Sequence, residues 1–174
     1  TYFNLRGEAS GSVLGEQLQL NCSKYLVTDE NLTPTGEMAP VAGTPMDFTK
    51  AKSLGEDIRK PFPALVFGKG YDNCYVIDGY KKGEMALAAV LTDEVSGRTL
   101  EVLTTQPAVQ IYTGNWLMGC PATKSGNRTY FDYDGVAIEC QGMPDAPNHA
   151  NFPSQVLDRG EQYAQSIVFR FSTK

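Results

Sequence analysis

Short runs in which apolar and polar residues alternate one for one constrain this chain more than any other feature. Leu18 and Leu20 alternate with Gln17, Gln19 and Asn21, and Leu100 and Val102 with Thr99 and Glu101. Val109 and Ile111 oppose Gln110 and Tyr112, while Val136, Ile138 and Cys140 oppose Ala137, Glu139 and Gln141. Near the end, Ile167, Phe169 and Phe171 interleave with Ser166, Val168 and Arg170. A two-residue period sends successive side chains to opposite faces of a pleated strand, so each run predicts a half-buried strand. Met85 to Leu91 is apolar without a break, the pattern of a strand covered on both faces. Only Ser53 to Arg59 suggests a helix, with Ser53 as N-cap and Glu56 in the capping-box position. The 17 glycines and 10 prolines cut the rest into short pieces, with Lys60–Pro63 and Pro144–Pro153 expected as ordered loops. Many short strands and almost no helix predict an all-β chain, an antiparallel sandwich or barrel.

Charge and length narrow the partners. The chain has 174 residues, room for one ordinary domain, and nothing in it marks a linker or an internal repeat. Its net charge of −5 opposes a nucleic-acid backbone, which is met by basic faces, and equally a polybasic membrane anchor. The longest apolar run is far short of the roughly 20 residues that cross a bilayer as a helix. Neither nucleic acid nor membrane is expected as a partner. Cys22, Cys74, Cys120 and Cys140 show no local pairing of the kind that structural zinc requires, so no metal is expected. Asn21, Asn31 and Asn127 open Asn-x-Ser/Thr triplets, which matter only if the chain enters a glycosylating compartment.

Alternation also picks out residues for chemistry. Glu139 and Gln110 are polar residues whose strand neighbours point the opposite way, so each projects from a strand anchored by its own apolar face. Asp72, in Gly70-Tyr-Asp72, immediately precedes the strand-like Tyr75-Val-Ile77 and should be fixed by rigid backbone. His149 is the lone histidine and a natural acid–base group, yet it lies in a loop among Asn and Pro, where histidines are usually structural. Each candidate also has an ordinary reading as a solvated strand or turn residue. No nucleophile elbow, phosphate-binding glycine loop or metal motif is present in the sequence.

Taken together, the motifs resemble a known family. Thr1-Tyr-Phe-Asn-Leu5, Leu32-Thr-Pro-Thr-Gly-Glu37, Gly43-Thr-Pro-Met-Asp-Phe48 and Gly70-Tyr-Asp72 occur in the order seen in aldose 1-epimerases, the galactose mutarotases. Ser96-Gly-Arg98, Thr104-Thr-Gln-Pro107, Gln110-Ile-Tyr-Thr-Gly-Asn115 and Ile138-Glu-Cys-Gln141 continue the series. Pro144-Asp-Ala-Pro-Asn148 and Asp158-Arg-Gly-Glu161 close it. The resemblance covers essentially the whole chain and is to the C-terminal half of that family. It implies a large antiparallel β-sandwich, the supersandwich, and an isomerase that interconverts the α and β anomers of free aldoses without a cofactor. Glu139 falls on the family's general base, and Asp72 and Gln110 fall on residues that hold sugar hydroxyls in relatives.

Three positions depart from the family pattern. Asn73 stands where His is frequent, Cys140 where Thr is frequent and Ala108 where Gly is usual. By alternation Cys140 should point away from the cleft, whereas Asn73 could adjust substrate preference. The family's general acid is a histidine directly before the position of Thr1, and further sugar-binding residues lie upstream of that. The resemblance therefore implies a monosaccharide substrate and an N-terminal half, expected as a separate or nicked chain that donates the acid. It implies a cytoplasmic protein where no leader precedes the chain, and a periplasmic or secreted one where a leader does. Two other functions fit the same residues: a non-catalytic carbohydrate-binding sandwich that uses Asp72 and Gln110, and a glycoside hydrolase that pairs Asp72 with Glu139.

Overall fold

The computed structural model describes residues 1–121, 125–126 and 128–173; Asn127, which opens one of the three triplets, lies outside the described residues. Its elements run β1 (Tyr2–Phe3), β2 (Gln17–Leu20), β3 (Lys24–Thr28), β4 (Pro34–Pro40), β5 (Lys52–Ser53) and α1 (Pro63–Gly68). They continue as β6 (Asp72–Val76), β7 (Ala86–Thr92), β8 (Arg98–Thr104), β9 (Ala108–Tyr112), β10 (Val136–Gln141) and β11 (Ile167–Thr173). One sheet has the order β1-β10-β9-β6-β3-β4 and the other β11-β8-β7-β2-β5, with antiparallel pairing throughout. The expected all-β sandwich is what forms.

The core lies between the sheets. Val109, Ile111, Val136 and Ile138 of the first sheet join Leu18, Leu20, Leu91, Leu100 and Val102 of the second in one buried cluster. These residues alternate along their strands, so each buried side chain leaves its neighbour on the outer face. Burying a Val, Leu or Ile side chain is worth about 1.5–3 kcal/mol, which makes a one-residue slip of any of these strands prohibitive. Tyr71 and Tyr75 anchor the centre, each edge-on to Phe48 at 5.0 and 6.4 Å. All four cysteines are free thiols.

Three expectations fail locally. Ser53–Arg59 is not a helix: Ser53 ends β5, and Gly55 turns so close to Leu14 that a Cβ there would lie 2.9 Å from the Leu14 carbonyl oxygen. Asp57 is taken there by Lys52 and Lys60, at 2.7 and 2.8 Å, which holds the segment as consecutive turns. The helix starts instead at Pro63, whose fixed φ suits a first helical position, so the proline stretch is only partly loop. Met85–Leu91 is not covered on both faces either. A register shift between Leu87 and Ala89 turns Ala88 and Ala89 both inward, and leaves Leu87 exposed.

β11 pairs with β8 over seven residues at the edge of its sheet. Ile167, Val168, Phe169 and Phe171 remain exposed along it, although the Phe169 and Phe171 rings reach Phe3 at 5.2 and 6.2 Å. Among the described residues no helix is long and apolar enough to cross a membrane.

The segment after β1 is held by a buried carboxyl. Glu16 Oε1 accepts the Leu5 N–H at 2.8 Å, while Oε2 has no partner among the described residues. Burial raises its pKa to about 7 from 4.5, with the Leu5 bond opposing and Asp93 adding to the rise. A carboxyl with a raised folded pKa binds its proton better in the folded state. Its stabilising effect is therefore full below the unfolded value near 4.5 and is lost as the pH rises to about 7. Stability should fall by about 2 kcal/mol between pH 5 and 7 on this account, at about 1.4 kcal/mol per pH unit at most. Glu16→Gln should flatten that fall. Urea unfolding at several pH values checks it, and parallel profiles for the two proteins would refute the assignment.

Candidate active site

Strand register builds the site on the outer face of the six-stranded sheet. Tyr2 lies opposite Ala137, Ala137 opposite Tyr112 and Tyr112 opposite Asp72, forming one row across β1, β10, β9 and β6. Two residues along, Glu139 lies opposite Gln110 and Gln110 opposite Cys74. Alternation places both rows on the same face, with Phe3, Ile111, Ile138 and Cys140 turned inward. The three residues singled out in the sequence thus share one surface. Gln110 Nε2 donates to Asp72 Oδ1 at 2.7 Å, so two of them are directly bonded. Asp72, Gln110 and Glu139 line a cleft of about 280 Å³, walled by Leu26, Pro34 and Pro144.

Asp72 is the first residue of β6 rather than a turn residue before it, and its backbone is bracketed. α1 ends at Lys69 in the left-handed conformation, and Gly70 follows at φ 149°, where a Cβ would lie 2.5 Å from Asn115 Oδ1. Only glycine fits that approach. Asn115 Nδ2 donates to the carbonyls of Gly68 at 2.7 Å and Tyr71 at 3.0 Å, and Thr113 Oγ1 donates to Asn115 Oδ1 at 2.6 Å. The Thr113-Gly-Asn115 turn after β9 therefore clamps the entry to β6. Tyr71 adds a bond from its phenol to the Pro45 carbonyl at 2.9 Å.

The two carboxylates differ in their surroundings. Burial raises the pKa of Asp72, and the Gln110 hydrogen bond pulls it back down. Glu139 is exposed, and its carboxylate makes no hydrogen bond or ion pair among the described residues. Cys74, on the cleft floor, is held as a neutral thiol because burial pushes its pKa up to about 12.

His149 is not part of this cleft. Its Nε2 donates to the Pro34 carbonyl at 3.2 Å and lies 3.2 Å from Asp145 Oδ2, with its ring against Phe152 at 4.9 Å. Gly36 makes room for it: a Cβ there would sit 2.7 Å from His149 Nδ1. The ring braces the wall residue Pro34 from behind, which is the structural role its loop setting suggested. Asn73 also faces away, being buried on the inner side with its Oδ1 on the Asp72 N–H at 3.2 Å. Any influence of Asn73 on substrate preference would therefore act through Asp72, whose N–H it holds. Cys140 points inward as alternation required.

Sequence reasoning missed Tyr2 and Tyr112, which flank Ala137 beside Glu139. Their signal was the same alternation, but β1 is only two residues long and reveals no period of its own. A cleft of about 420 Å³ elsewhere, against Gln19, Cys22, Asp78 and Leu87, gathers no set of acid–base groups, and Asp78 is already bound by Ser23 Oγ at 2.7 Å. Among the described residues no three His, Cys, Asp or Glu side chains are grouped to hold a metal ion.

Fold and cleft together define an antiparallel sandwich whose open face carries a free carboxylate beside an amide-buttressed one. Residues 1–170 match the sequence profile of the family described as aldose 1-epimerase, and the chain belongs to that family. It is 40% identical over 172 residues to galactose mutarotase from Homo sapiens, covering 99% of this chain and 48% of that protein. It is 35% identical over 178 residues to aldose 1-epimerase from Escherichia coli (strain K12), covering 98% of this chain and 48% of the relative. The crystal structure of an aldose epimerase homologue from C. elegans superposes with a TM-score of 0.82 at 29% identity, over 99% of this chain and 49% of that one. Galactose 1-epimerase from Lactobacillus acidophilus NCFM gives 0.78 at 28% identity, over 99% and 47%. The chain spans about half the length of these relatives.

Proposed function

We propose that this chain carries the base and two sugar-holding groups of an aldose 1-epimerase acting on free hexoses such as galactose or glucose. The observation that carries the reading is the placement of Glu139, unpartnered, beside Gln110 and its bonded Asp72 in one cleft. In this mechanism Glu139 takes the proton of the anomeric hydroxyl while an acid protonates the ring oxygen. The C1–O5 bond breaks, leaving an open-chain aldehyde. Rotation about C1–C2 presents the other carbonyl face, and closure returns both protons. Asp72 and Gln110 hold hydroxyls away from the anomeric carbon. Only protons move, so the reaction calls for no redox or group-carrying cofactor.

The acid in this reading comes from outside these residues, because His149 is committed to Pro34 and Asp145 away from the cleft. Its source would be an N-terminal half of the same protein, as a separate or nicked chain. The exposed apolar residues of the edge strand β11 support that reading, since such surface is normally covered. A non-catalytic sugar binder would leave Glu139 without a task. The test is polarimetry on freshly dissolved α-galactose and α-glucose. The protein as its own gene encodes it should speed equilibration, and these 174 residues alone should not. Sugar binding without acceleration would replace the enzyme with a binder, and full activity from a monomer of this chain would overturn the external acid.

A further inference from the structure

We propose that His149 is a positioning residue for the sugar: it ties together the two separate segments that wall the cleft, and so sets its width without touching the ligand. The inference deepens the epimerase reading and rests on it for the identity of the ligand. The walls come from different parts of the chain. One is the β3–β4 arm, which supplies Leu26, Leu32 and Pro34, and the other is the segment after β10, which supplies Pro144. The arm is weakly held by its own sheet. β4 is the last strand, so it is paired along one side only, and its register against β3 shifts between Leu26 and Thr28. Beyond that shift Thr28 lies opposite Pro34, a residue with no N–H to give the ladder. The turn between the strands is firm in itself, because Asp29 Oδ1 accepts the N–H groups of Asn31 and Thr33, both at 2.9 Å. What the sheet leaves open is the angle of the arm as a whole.

The second segment supplies the missing restraint. Met143, Ala146 and Phe152 fold back over the outer face of the sheet and bury Leu26, Cys74 and Ala108 in a small cluster of their own. From that base His149 reaches the arm. Its Nε2 lies 3.2 Å from the Pro34 carbonyl oxygen and 3.2 Å from Asp145 Oδ2. A carbonyl can only accept, so Nε2 carries the hydrogen and bridges one wall to the other. The ring packs on Phe152 at 4.9 Å, which fixes its orientation from the cluster side. Asn151 Nδ2 adds a second tie to the same strand, donating to the Gly36 carbonyl at 2.9 Å.

A residue placed this way acts on binding rather than on proton transfer. Glu139 is set by β10 and its register with β9, whereas the bonds of His149 run to Pro34 and Asp145. An arm that splays moves one wall away from a bound sugar while the base stays where it is. Ground state and transition state then lose the same contacts, which raises KM and spares kcat.

The test uses His149→Phe, which keeps an aromatic ring against Phe152 and removes the N–H, and His149→Gln, which keeps an N–H donor. Both are made in the protein as its own gene encodes it, with galactose and glucose as probes. Sugar affinity is measured by titration, turnover by polarimetry, and the arm by hydrogen exchange of the amides of residues 29–37. His149→Phe should raise KM and Kd about fivefold, leave kcat within about twofold and speed exchange in the arm. His149→Gln should recover most of the affinity. A purely structural role predicts instead a smaller folded fraction, with KM and kcat of the folded protein unchanged. Should His149→Phe fail to fold, Asn151→Ala, at an exposed position, cuts the other tie and should raise KM about twofold to threefold. Affinity or arm exchange unchanged in a folded His149→Phe, or in Asn151→Ala where His149→Phe is lost, would overturn the proposal, as would a rise in KM that His149→Gln does not relieve. A wild type that binds sugar without speeding equilibration overturns the epimerase reading alone, and His149 is still judged by Kd and exchange. A wild type that binds neither sugar overturns both.

Discussion

Glu139→Gln is expected to lower mutarotation turnover by about 10²–10⁴-fold while leaving sugar affinity nearly intact. The substitution keeps the shape and hydrogen-bonding reach of the side chain and removes only its capacity to take a proton. Sheet register makes the experiment clean. Glu139 stands opposite Gln110 on β9 and its side chain makes no hydrogen bond or ion pair among the described residues, so its replacement disturbs no network that the fold depends on. An interaction made only in the transition state shows itself as a fall in kcat and in kcat/KM together. Thermal unfolding should be little changed, since exposed strand positions away from special features usually shift stability by less than about 0.5 kcal/mol. The measurement is the rate of approach to anomeric equilibrium, followed by polarimetry at saturating sugar. Retention of more than about a tenth of wild-type turnover would remove Glu139 from the role of base.

Much of this architecture is legible in the sequence because burial on one face writes itself as alternation. β2, β8, β9, β10 and β11 are all visible in that way; the inward residues of the first four join the core, while β11 stays exposed along its length. Short or mixed elements are not. β1 and β5 have two residues each, too few for a period. β4, with Pro34, Gly36 and Pro40, reads as loop, yet it pairs with β3 at the sheet edge, where missing N–H donors are tolerated. The expected helix at Ser53–Arg59 follows a local capping signal that tertiary contacts overrule, as Gly55 docks on Leu14 and Asp57 is drawn to two lysines. The site divides along the same line. Glu139 and Gln110 are marked by their own strands, but the Gln110–Asp72 bond and the Tyr2–Tyr112 pair depend on which strands are neighbours. Strand order is set by long-range packing, which no local pattern encodes.

Asp72→Ala should weaken sugar binding by about 1–3 kcal/mol, and by the same amount for both anomers. The loss has two sources. A sugar hydroxyl is left without its acceptor in the cleft, and Gln110, whose amide now donates to Asp72 at 2.7 Å, loses the partner that orients it. Neither source involves the anomeric carbon, so no anomer should be favoured. Gln110→Ala should act in the same direction and add a change with pH. The Gln110 hydrogen bond lowers an Asp72 pKa that burial raises, so removing the amide lets that pKa climb. Binding that needs the Asp72 carboxylate is present above its pKa and lost as the pH falls through it. In Gln110→Ala that loss should therefore begin at a higher pH than in wild type. Calorimetric titration with galactose across the acid range measures both effects. Unchanged affinity in both alanine variants would place the sugar elsewhere on the protein. An acid limb that stays put in Gln110→Ala would mean that Gln110 holds the sugar directly rather than by steadying the carboxylate beside it.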